Sequence, residues 1–392
     1  MTAAAASPPT RALILEPLQY AFCRSIQIGA IDAARRRGWE AIAIDPWPVS
    51  PDLLVQLRPD VIIAHNEDQA QVRALASLAR AVVVTTLGDD GTPRVNPDDR
   101  RIARMAVEHL QQRHLRHLAF LGHEDRWGVS RRDAFIDAVA AAGLPPPQVR
   151  MAGWLEPLAG LRTWLQQLPA PCGLFVFADH LATLALVTAQ EAGRRIPEDL
   201  AIIGCDNDAA MCENVRPSLT SIDSDGQAVG RTAIELAERI LAGEALPPMP
   251  ILVTPSSLIA RGSTDWVACD DALVASALRL LRSGAMLAPS VDQLAAAVGA
   301  SRSTLEERFR RELGSTPAQE IASVRMAMVA EVLRTTDLGL AAVAERTGFS
   351  SKTALIHAVR RSLGFTPAVW RAKLRGQDPA SAGGEDEAGP EA

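Results

Sequence analysis

Five polar or aromatic residues in the middle of this chain have the chemistry needed to hold a small polyhydroxy compound. They are Trp127, Arg131, Asp179, Asp206 and Asn207. Carboxylates and a guanidinium can bind adjacent hydroxyl groups of a sugar in pairs, while an aromatic ring covers the apolar face of the sugar ring. Asp179, Asp206 and Asn207 each follow a short apolar run, and Arg131 is expected to open a helix after another such run. These residue types and positions predict a sugar site.

Each of these residues also has a plainer structural interpretation. Asp179 and Asp206 are suited to capping the helices that follow their strands. Arg131 is suited to pairing with a neighbouring carboxylate, and Trp127 is suited to packing between two parts of the fold. A ligand contact and a structural contact therefore both stay open for these residues.

The elements that must position these side chains alternate between strand and helix over residues 11–262. Strands are predicted over residues 12–15, 41–44, 61–64, 82–85, 117–121, 174–177 and 201–204. Helices are predicted over residues 22–37, 69–78, 100–113, 131–142, 181–192 and 227–242. Such alternation implies parallel, doubly wound sheets with helices on both faces.

About 250 residues are more than a single α/β sheet usually contains, so two α/β lobes like those of periplasmic binding proteins are predicted. Glycines and prolines place the break between the lobes near residues 89–98, and the chain is expected to return near residues 217–223. Two such lobes form a cleft at the carboxyl ends of their strands, where ligands of α/β sheets bind. The five candidate residues fall at that edge.

Residues 291–367 contain the same helix-turn-helix plan twice. The matching residues, 50 positions apart, are Leu305 and Leu355, Phe309 and Val359, Leu313 and Leu363, and Pro317 and Pro367. The second copy has one extra residue in its turn. A single copy is also compatible with a structural helical hairpin, but a duplicated copy predicts an all-α domain that presents two helices to neighbouring major grooves of DNA.

The start of each second helix carries the side chains expected to contact DNA. They are Arg302, Ser303, Glu306 and Glu307 in the first copy, and Lys352, Thr353, Ile356 and His357 in the second. Lysine suits guanine acceptors, glutamate suits cytosine, and threonine or isoleucine methyls suit thymine. Ser303 with Glu306 is expected to form a capping box, and Ser351 is expected to cap the second copy. The residues expected to meet phosphates are Arg308, Arg310, Arg311, Arg360, Arg361, Arg371 and Lys373.

Charge and spacing support a DNA-reading module. Residues 265–376 carry 15 Lys and Arg against 11 Asp and Glu, although the whole chain has a net charge of −6. The basic charge is therefore local to the duplicated region. Residues 317–334 are predicted to form one helix about 27 Å long. A connecting helix of this length holds the two DNA-contacting helices near the ~34 Å spacing of successive major-groove faces.

Composition and residue spacing argue against a membrane, secreted or metal-binding protein. The chain is 48% hydrophobic and 22% charged, as in ordinary globular proteins. No apolar run reaches the ~18 residues of a membrane span, and residues 1–11 lack a signal-peptide pattern, so a cytoplasmic location is expected. The cysteines are not spaced like metal ligands, and His109, His114, His117 and His123 alternate between helix and strand. No metal site, cofactor or catalytic residue is predicted.

Several segments of the first region resemble the sugar-responsive effector domain of LacI-type repressors, which is itself similar to periplasmic sugar-binding proteins. They are Phe177–Asp179, Gly193–Leu200, Ile203–Asn207 and Pro217–Ile222. The resemblance covers residues 120–260 well and the first lobe loosely. It implies that Arg131 and Asp206 bind the sugar, because that family uses an arginine and an aspartate at these positions.

The duplicated module resembles the AraC family, and Arg261–Asp265 together with Ser301–Glu306 resembles its branch of xylose-operon activators. The second copy departs from the AraC pattern at Leu355 and Val359, where phenylalanines are usual, and at His357, where an arginine is common. Its base preference is therefore not carried over from the family.

The resemblance implies a sugar-responsive transcriptional activator. The expected partners are DNA, a pentose such as xylose, a second copy of the chain and RNA polymerase. Two other functional classes stay open. One is a sugar-acting enzyme, although the chain contains no G-x-G-x-x-G, G-x-x-x-x-G-K-[ST] or G-x-S-x-G motif, and the other is a DNA-binding protein whose cleft has lost its ligand.

The sequence predicts five segments. They are a disordered start at 1–10, an effector domain at 11–262, a connecting segment or first helix at 263–285, a DNA-binding domain at 286–374 and a disordered acidic tail at 375–392.

Overall fold

The computed structural model describes residues 9–46, 51–66, 68–88, 90–153, 158–245, 249–266, 269, 271–282 and 286–374. The chain divides into two compact units, Met1–Asp265 and Trp266–Ala392. The segments predicted to be disordered, residues 1–10 and 375–392, lie outside the described residues except for residues 9 and 10. No helix among the described residues is both long enough and apolar enough to cross a membrane.

The first unit alternates strands and helices, as predicted. Its strands are β1 (Arg11–Leu15), β2 (Glu40–Ile44), β3 (Val61–Ala64), β4 (Ala81–Val84), β5 (Val95–Pro97), β6 (His117–His123), β7 (Gln148–Ala152), β8 (Cys172–Val176), β9 (Leu200–Cys205), β10 (Thr220–Asp223), β11 (Ile251–Val253) and β12 (Ser257–Ile259). Its helices are α1 (Ala21–Arg36), α2 (Pro51–Leu57), α3 (Gln69–Ala76), α4 (Asp99–Gln111), α5 (Arg126–Ala141), α6 (Leu158–Gln167), α7 (Asp179–Glu191), α8 (Ala209–Cys212) and α9 (Gly226–Leu241).

These strands form two main sheets, one in each lobe. The first has four strands in the order β2-β1-β3-β4, and the second has six in the order β12-β10-β9-β8-β6-β7. All strand pairs in them are parallel except β10 with the edge strand β12. The predicted two-lobed α/β fold is confirmed, and each of the seven predicted strands is present. The strands β5, β7, β10, β11 and β12 were not predicted because they are short or partly exposed.

The first lobe is built from two separate stretches of chain. Helix α9 packs on α1, and apolar residues of both helices share one buried core with β1, β3 and β4. A Cβ added at Gly29 would lie 2.0 Å from the backbone oxygen of Gln227, and one at Gly230 would lie 2.1 Å from that of Ile26. These glycines therefore let the two helix backbones approach closely. The chain enters α9 directly after β10, just beyond the predicted return at residues 217–223.

The second unit is entirely helical within the described residues. Its helices are α10 (Ala272–Arg282), α11 (Val291–Ala297), α12 (Arg302–Leu313), α13 (Pro317–Thr335), α14 (Leu340–Arg346), α15 (Lys352–Leu363) and α16 (Pro367–Leu374). Helices α12 and α15 start and end at positions 50 apart, whereas α11 and α14 are offset by 49, as the extra turn residue requires. The duplication and the single connecting helix α13 are confirmed.

Two capping predictions have different outcomes. Ser351 caps α15, and its Oγ accepts a hydrogen bond from the backbone N–H of Ala354 at 3.1 Å. The predicted capping box of Ser303 and Glu306 is wrong, because Ser301 is the cap of α12 and accepts from the backbone N–H of Thr304. Both serines precede the apolar face, so the sequence offered two starts two residues apart. Helix α12 uses the earlier one.

Candidate effector cavity and DNA-reading helices

A cavity of about 460 Å³ lies at the carboxyl ends of the strands of both lobes. Four of the five predicted ligand residues line it: Trp127, Arg131, Asp179 and Asp206. Asn207 is not among the lining residues. Its Oδ1 accepts a hydrogen bond from Nη2 of Arg261 at 2.8 Å, and its backbone N–H donates to Ser221 at 3.0 Å.

Arg131 is buried and held by two acceptors beside the cavity. Its Nε donates to Oδ1 of Asp99 at 2.9 Å, and its Nη1 donates to the carbonyl oxygen of Phe177. The residue lies in the second turn of α5 and not at its start as predicted, because β6 extends to His123 and α5 begins at Arg126. The alternative that Arg131 pairs with a carboxylate is therefore realised, and the residue lines the cavity as well.

Asp206 occupies an unusual backbone conformation at the cavity wall. Its φ is 98°, a value that side-chain-bearing residues rarely adopt. Ser224 donates to its Oδ1 at 2.9 Å. Burial raises the pKa of Asp206, while the neighbouring Arg131 charge opposes that rise. Asp208, and not Asp206, caps the following helix α8.

Asp179 is almost fully buried and bonded to protein groups through both carboxylate oxygens. Oδ1 accepts from Ser221 at 2.6 Å, and Oδ2 accepts from the backbone N–H of Asp208 at 2.8 Å and from the thiol of Cys212. Burial and the nearby Asp206 raise the pKa of Asp179 to about 8. These contacts tie the start of α7 to the loop after β9, so Asp179 holds the segment that carries Asp206.

Trp127 meets the first lobe across the cavity. Its ring lies nearly parallel to that of His65, with centroids 6.5 Å apart, and edge-on to Phe22 at 5.9 Å. The indole Nε1 is buried and has no hydrogen-bond partner within the described part of the chain. Trp127 therefore packs between the lobes and also keeps a donor for another molecule.

Several residues of the first lobe that were not among the five predicted ligand residues also reach the cavity. Tyr20, Cys23 and His65 line it, and Arg24 forms an ion pair with Asp208 of the second lobe at 3.3 Å. His65 gave the clearest signal, because it follows a strand just as Asp179 and Asp206 do, although a solvated loop is the usual role of such a position. The lobe-to-lobe contacts have no sequence signal, since they join residues far apart in the chain.

The predicted DNA-reading residues lie at the starts of α12 and α15. Residues 301–310 and 351–360 show the same order of exposed, intermediate and buried side chains, position by position. Arg302, Ser303, Glu307, Lys352, Thr353 and His357 are exposed, whereas Glu306 and Ile356 are partly buried. Each copy therefore turns one polar helix face outward, which is the arrangement a major-groove reader needs.

Comparisons with known proteins match both units. A periplasmic binding protein-like domain matches residues 107–264, and a helix-turn-helix domain matches residues 294–373. A xylose operon regulatory protein of Haemophilus influenzae is 28% identical over 363 residues, which span 88% of this chain and 93% of that protein. One from Escherichia coli K12 is 27% identical over 359 residues, spanning 88% and 92%. The chain thus joins a periplasmic binding protein-like domain to a helix-turn-helix domain, which is the arrangement of a DNA-binding transcription regulator.

A solved structure of a xylose-binding transcription activator resembles this regulator over both units. The TM-score is 0.58 at 25% identity, covering 94% of this chain and 99% of the other. The resemblance to regulators that join a LacI-like effector domain to an AraC-type reader is thereby confirmed. The two named relatives are regulators of transcription, and this protein is likewise a DNA-binding regulator and not an enzyme.

The first reading helix of the regulator is heavily ion-paired. Arg302 bonds Asp292 at 3.2 Å and Glu306 at 2.8 Å. Arg308 and Arg311 both bond Asp271, at 3.1 and 2.9 Å.

Asp271 also accepts from the backbone N–H groups of Leu273 and Val274 at the start of α10. Arg308 and Arg311 were predicted to contact phosphates, but in this structure both form ion pairs with the carboxylate of Asp271. Arg371, another predicted phosphate contact, donates to the carbonyl oxygen of Leu338. The side chain of Lys373 lies outside the described residues.

Proposed function

We propose that the regulator senses a small sugar, of the pentose class, in the interlobe cavity. The observation that carries this proposal is that Arg131 and Asp206 both line the cavity, each held in place by other protein groups. Two relatives named as xylose operon regulators, with 88% of this chain aligned to each, support the choice of pentose. A cavity of about 460 Å³ suits a ligand of that size.

The two charged side chains are prepared for hydroxyl groups. Ser224 holds one oxygen of Asp206, and Asp99 and Phe177 hold two nitrogens of Arg131. Within the described residues no hydrogen bond occupies Oδ2 of Asp206 or Nη2 of Arg131. A sugar hydroxyl can therefore donate to the first and accept from the second without rearrangement of either side chain.

Sugar binding would favour the closed arrangement of the lobes. Trp127 with His65, and Arg24 with Asp208, are contacts that exist only while the lobes are together. A ligand shifts this equilibrium only by binding one arrangement more tightly, so the sugar and DNA affinities are coupled reciprocally. We propose that the regulator works as a homodimer in the cytoplasm, activates a sugar catabolic operon and contacts RNA polymerase.

Isothermal titration calorimetry of the full chain against a panel of pentoses and hexoses tests the cavity. Arg131→Lys and Asp206→Asn should weaken pentose binding about 10- to 100-fold, since each removes a charge-assisted hydrogen bond worth ~1.5–3 kcal/mol. Arg132→Lys and Asp133→Asn on the same helix are the matched controls, because these two side chains pair with each other away from the cavity. Their sugar affinity should stay unchanged.

DNA binding gives the second readout. Footprinting with and without the sugar should show a change in the wild type and none in Arg131→Lys or Asp206→Asn, while all of them retain basal DNA binding. If no sugar binds the wild type and its footprint never changes, the regulator is a ligand-independent DNA-binding protein and the sugar proposal fails.

A further inference from the structure

Three side chains of metal-ligand type meet at the cavity wall of the first lobe. Glu16 follows β1, Cys23 lies on α1 and His65 follows β3. One ligand atom from each lies within 4.8 Å of the other two. Cys23 and His65 line the cavity, but the sugar contacts proposed for Arg131 and Asp206 do not involve this cluster, and the DNA-reading helices do not contain it.

The distances within the cluster approach those of a tetrahedral metal centre. Sγ of Cys23 lies 3.7 Å from Nδ1 of His65, and Oε2 of Glu16 lies 3.6 Å from the same nitrogen. Zinc bonds of ~2.0–2.3 Å in tetrahedral geometry place neighbouring ligand atoms about 3.3–3.6 Å apart. Both distances from His65 are therefore within a few tenths of an ångström of those around a zinc ion, and the ligand atoms of Cys23 and Glu16 lie within 4.8 Å of each other.

The burial of Glu16 is a second observation that favours a bound ion. Glu16 is fully buried. Its Oε1 accepts from Thr85 at 2.6 Å, but its Oε2 has no hydrogen-bond partner among the residues that the structure describes. A buried carboxylate oxygen without a partner is costly, and a cation between Glu16, Cys23 and His65 would remove that cost.

The orientation of His65 also suits a ligand, because its Nδ1 faces both Cys23 and Glu16. The Trp127 ring lies at an interplanar angle of 8° to the imidazole, which restrains its orientation.

We propose that Glu16, Cys23 and His65 bind a divalent transition metal ion of the zinc class. Thiolate, imidazole and carboxylate ligands together select such an ion over magnesium or calcium. Cys23 and His65 line the cavity, whereas Glu16 lies behind them, so the fourth coordination position opens into the cavity. That position is available to water or to an oxygen of a cavity ligand.

Cobalt(II) alone tests the site, with no sugar present. The full-length regulator, reduced and stripped of metal, should bind one cobalt ion with a thiolate-to-cobalt charge-transfer band, and zinc should displace it. Cys23→Ser should abolish the band. His65→Gln and Glu16→Gln should weaken cobalt binding at least about 10-fold. Cys172→Ser, which removes a buried thiol at the start of β8, should keep the wild-type band and affinity.

Thermal unfolding keeps the proposal testable if a variant folds poorly. Zinc binds only the native state under this proposal, so it should raise the Tm of the wild type and of Cys172→Ser but not that of Cys23→Ser. A wild type without a thiolate band overturns the proposal, and so does a band that survives in Cys23→Ser. Either result would mean that Glu16, Cys23 and His65 pack together without binding a metal ion. Neither result bears on pentose binding, which calorimetry measures separately.

Discussion

The two helix-turn-helix copies share a frame but differ in their charges. Helix α12 contains four arginines and three glutamates, whereas α15 contains three basic residues and no carboxylate. Arginines of α12 pair with Asp271, Asp292 and Glu306, while no ion pair involves the basic residues of α15 within the described part of the chain. Duplication has thus kept the buried positions and let the DNA-facing chemistry diverge. We expect the second copy to contribute more of the electrostatic affinity for DNA.

The largest expected difference between the copies concerns their cores. Phe309 and Val359 occupy equivalent, fully buried positions. Phe309→Ala should lower the free energy of unfolding of the helical unit by ~3–5 kcal/mol, and Val359→Ala should lower it by about 2 kcal/mol, because valine loses only two methyl groups. Urea unfolding of the full chain followed by circular dichroism measures both. Equal losses would show that the two cores are packed alike.

The turn glycines should also respond unequally to alanine. Gly299 and Gly348 have φ values of 70° and 72°, so alanine is strained at both by roughly 1–2 kcal/mol. A Cβ at Gly348 would lie 2.6 Å from that of Ala288, whereas one at Gly299 would meet nothing within 4 Å. Gly348→Ala should therefore cost more stability than Gly299→Ala in the same unfolding experiment. The reverse order would mean that the segment around Ala288 moves aside readily.

Lys352 and Arg302 stand at equivalent positions and test the difference in DNA contact. Lys352→Ala should weaken binding to a footprinted duplex by ~1–3 kcal/mol if its ammonium group binds a base. Arg302→Ala should cost less than about 1 kcal/mol, since Asp292 and Glu306 already engage the guanidinium. Fluorescence anisotropy measures both affinities. A uniform loss across unrelated sequences would assign the residue to phosphate contact.

The smallest effect should come from releasing the arginines of the first copy. Asp271→Asn keeps a side chain that can cap α10 but removes the charge that holds Arg308 and Arg311. The plot of log affinity against log salt should become steeper, by up to about 0.9 for each new phosphate contact. Glu345→Gln, an exposed carboxylate on α14, is the control and should change the slope less. An unchanged slope in Asp271→Asn would show that these arginines do not reach DNA.

The duplicated helices and the alternation of strands and helices could be predicted from the sequence, whereas contacts between distant segments could not. The offset of α12 and α15 follows from Leu305 and Leu355, and the parallel sheets follow from buried runs such as that of β3. The cap of α15 at Ser351 was predictable for the same local reason.

Contacts between distant segments were not predictable. Asp179 has its two carboxylate oxygens bonded to residues 29 and 42 positions further on, at Asp208 before α8 and at Ser221 in β10. Glu16, Cys23 and His65 meet only because β1, α1 and β3 are neighbours in the folded lobe. Their spacing in the chain resembles no metal-binding motif, which explains why no metal site was expected.

The divided construction of the first lobe has a consequence for its synthesis. Helix α9 packs on α1, and strand β11 pairs with β5. Both elements are nevertheless translated after β6 to β10. When the amino-terminal sheet leaves the ribosome, the face that α1 packs on therefore still lacks α9. Although amino-terminal domains commonly fold first on the ribosome, here the earlier-made lobe cannot finish until the later-made one has emerged.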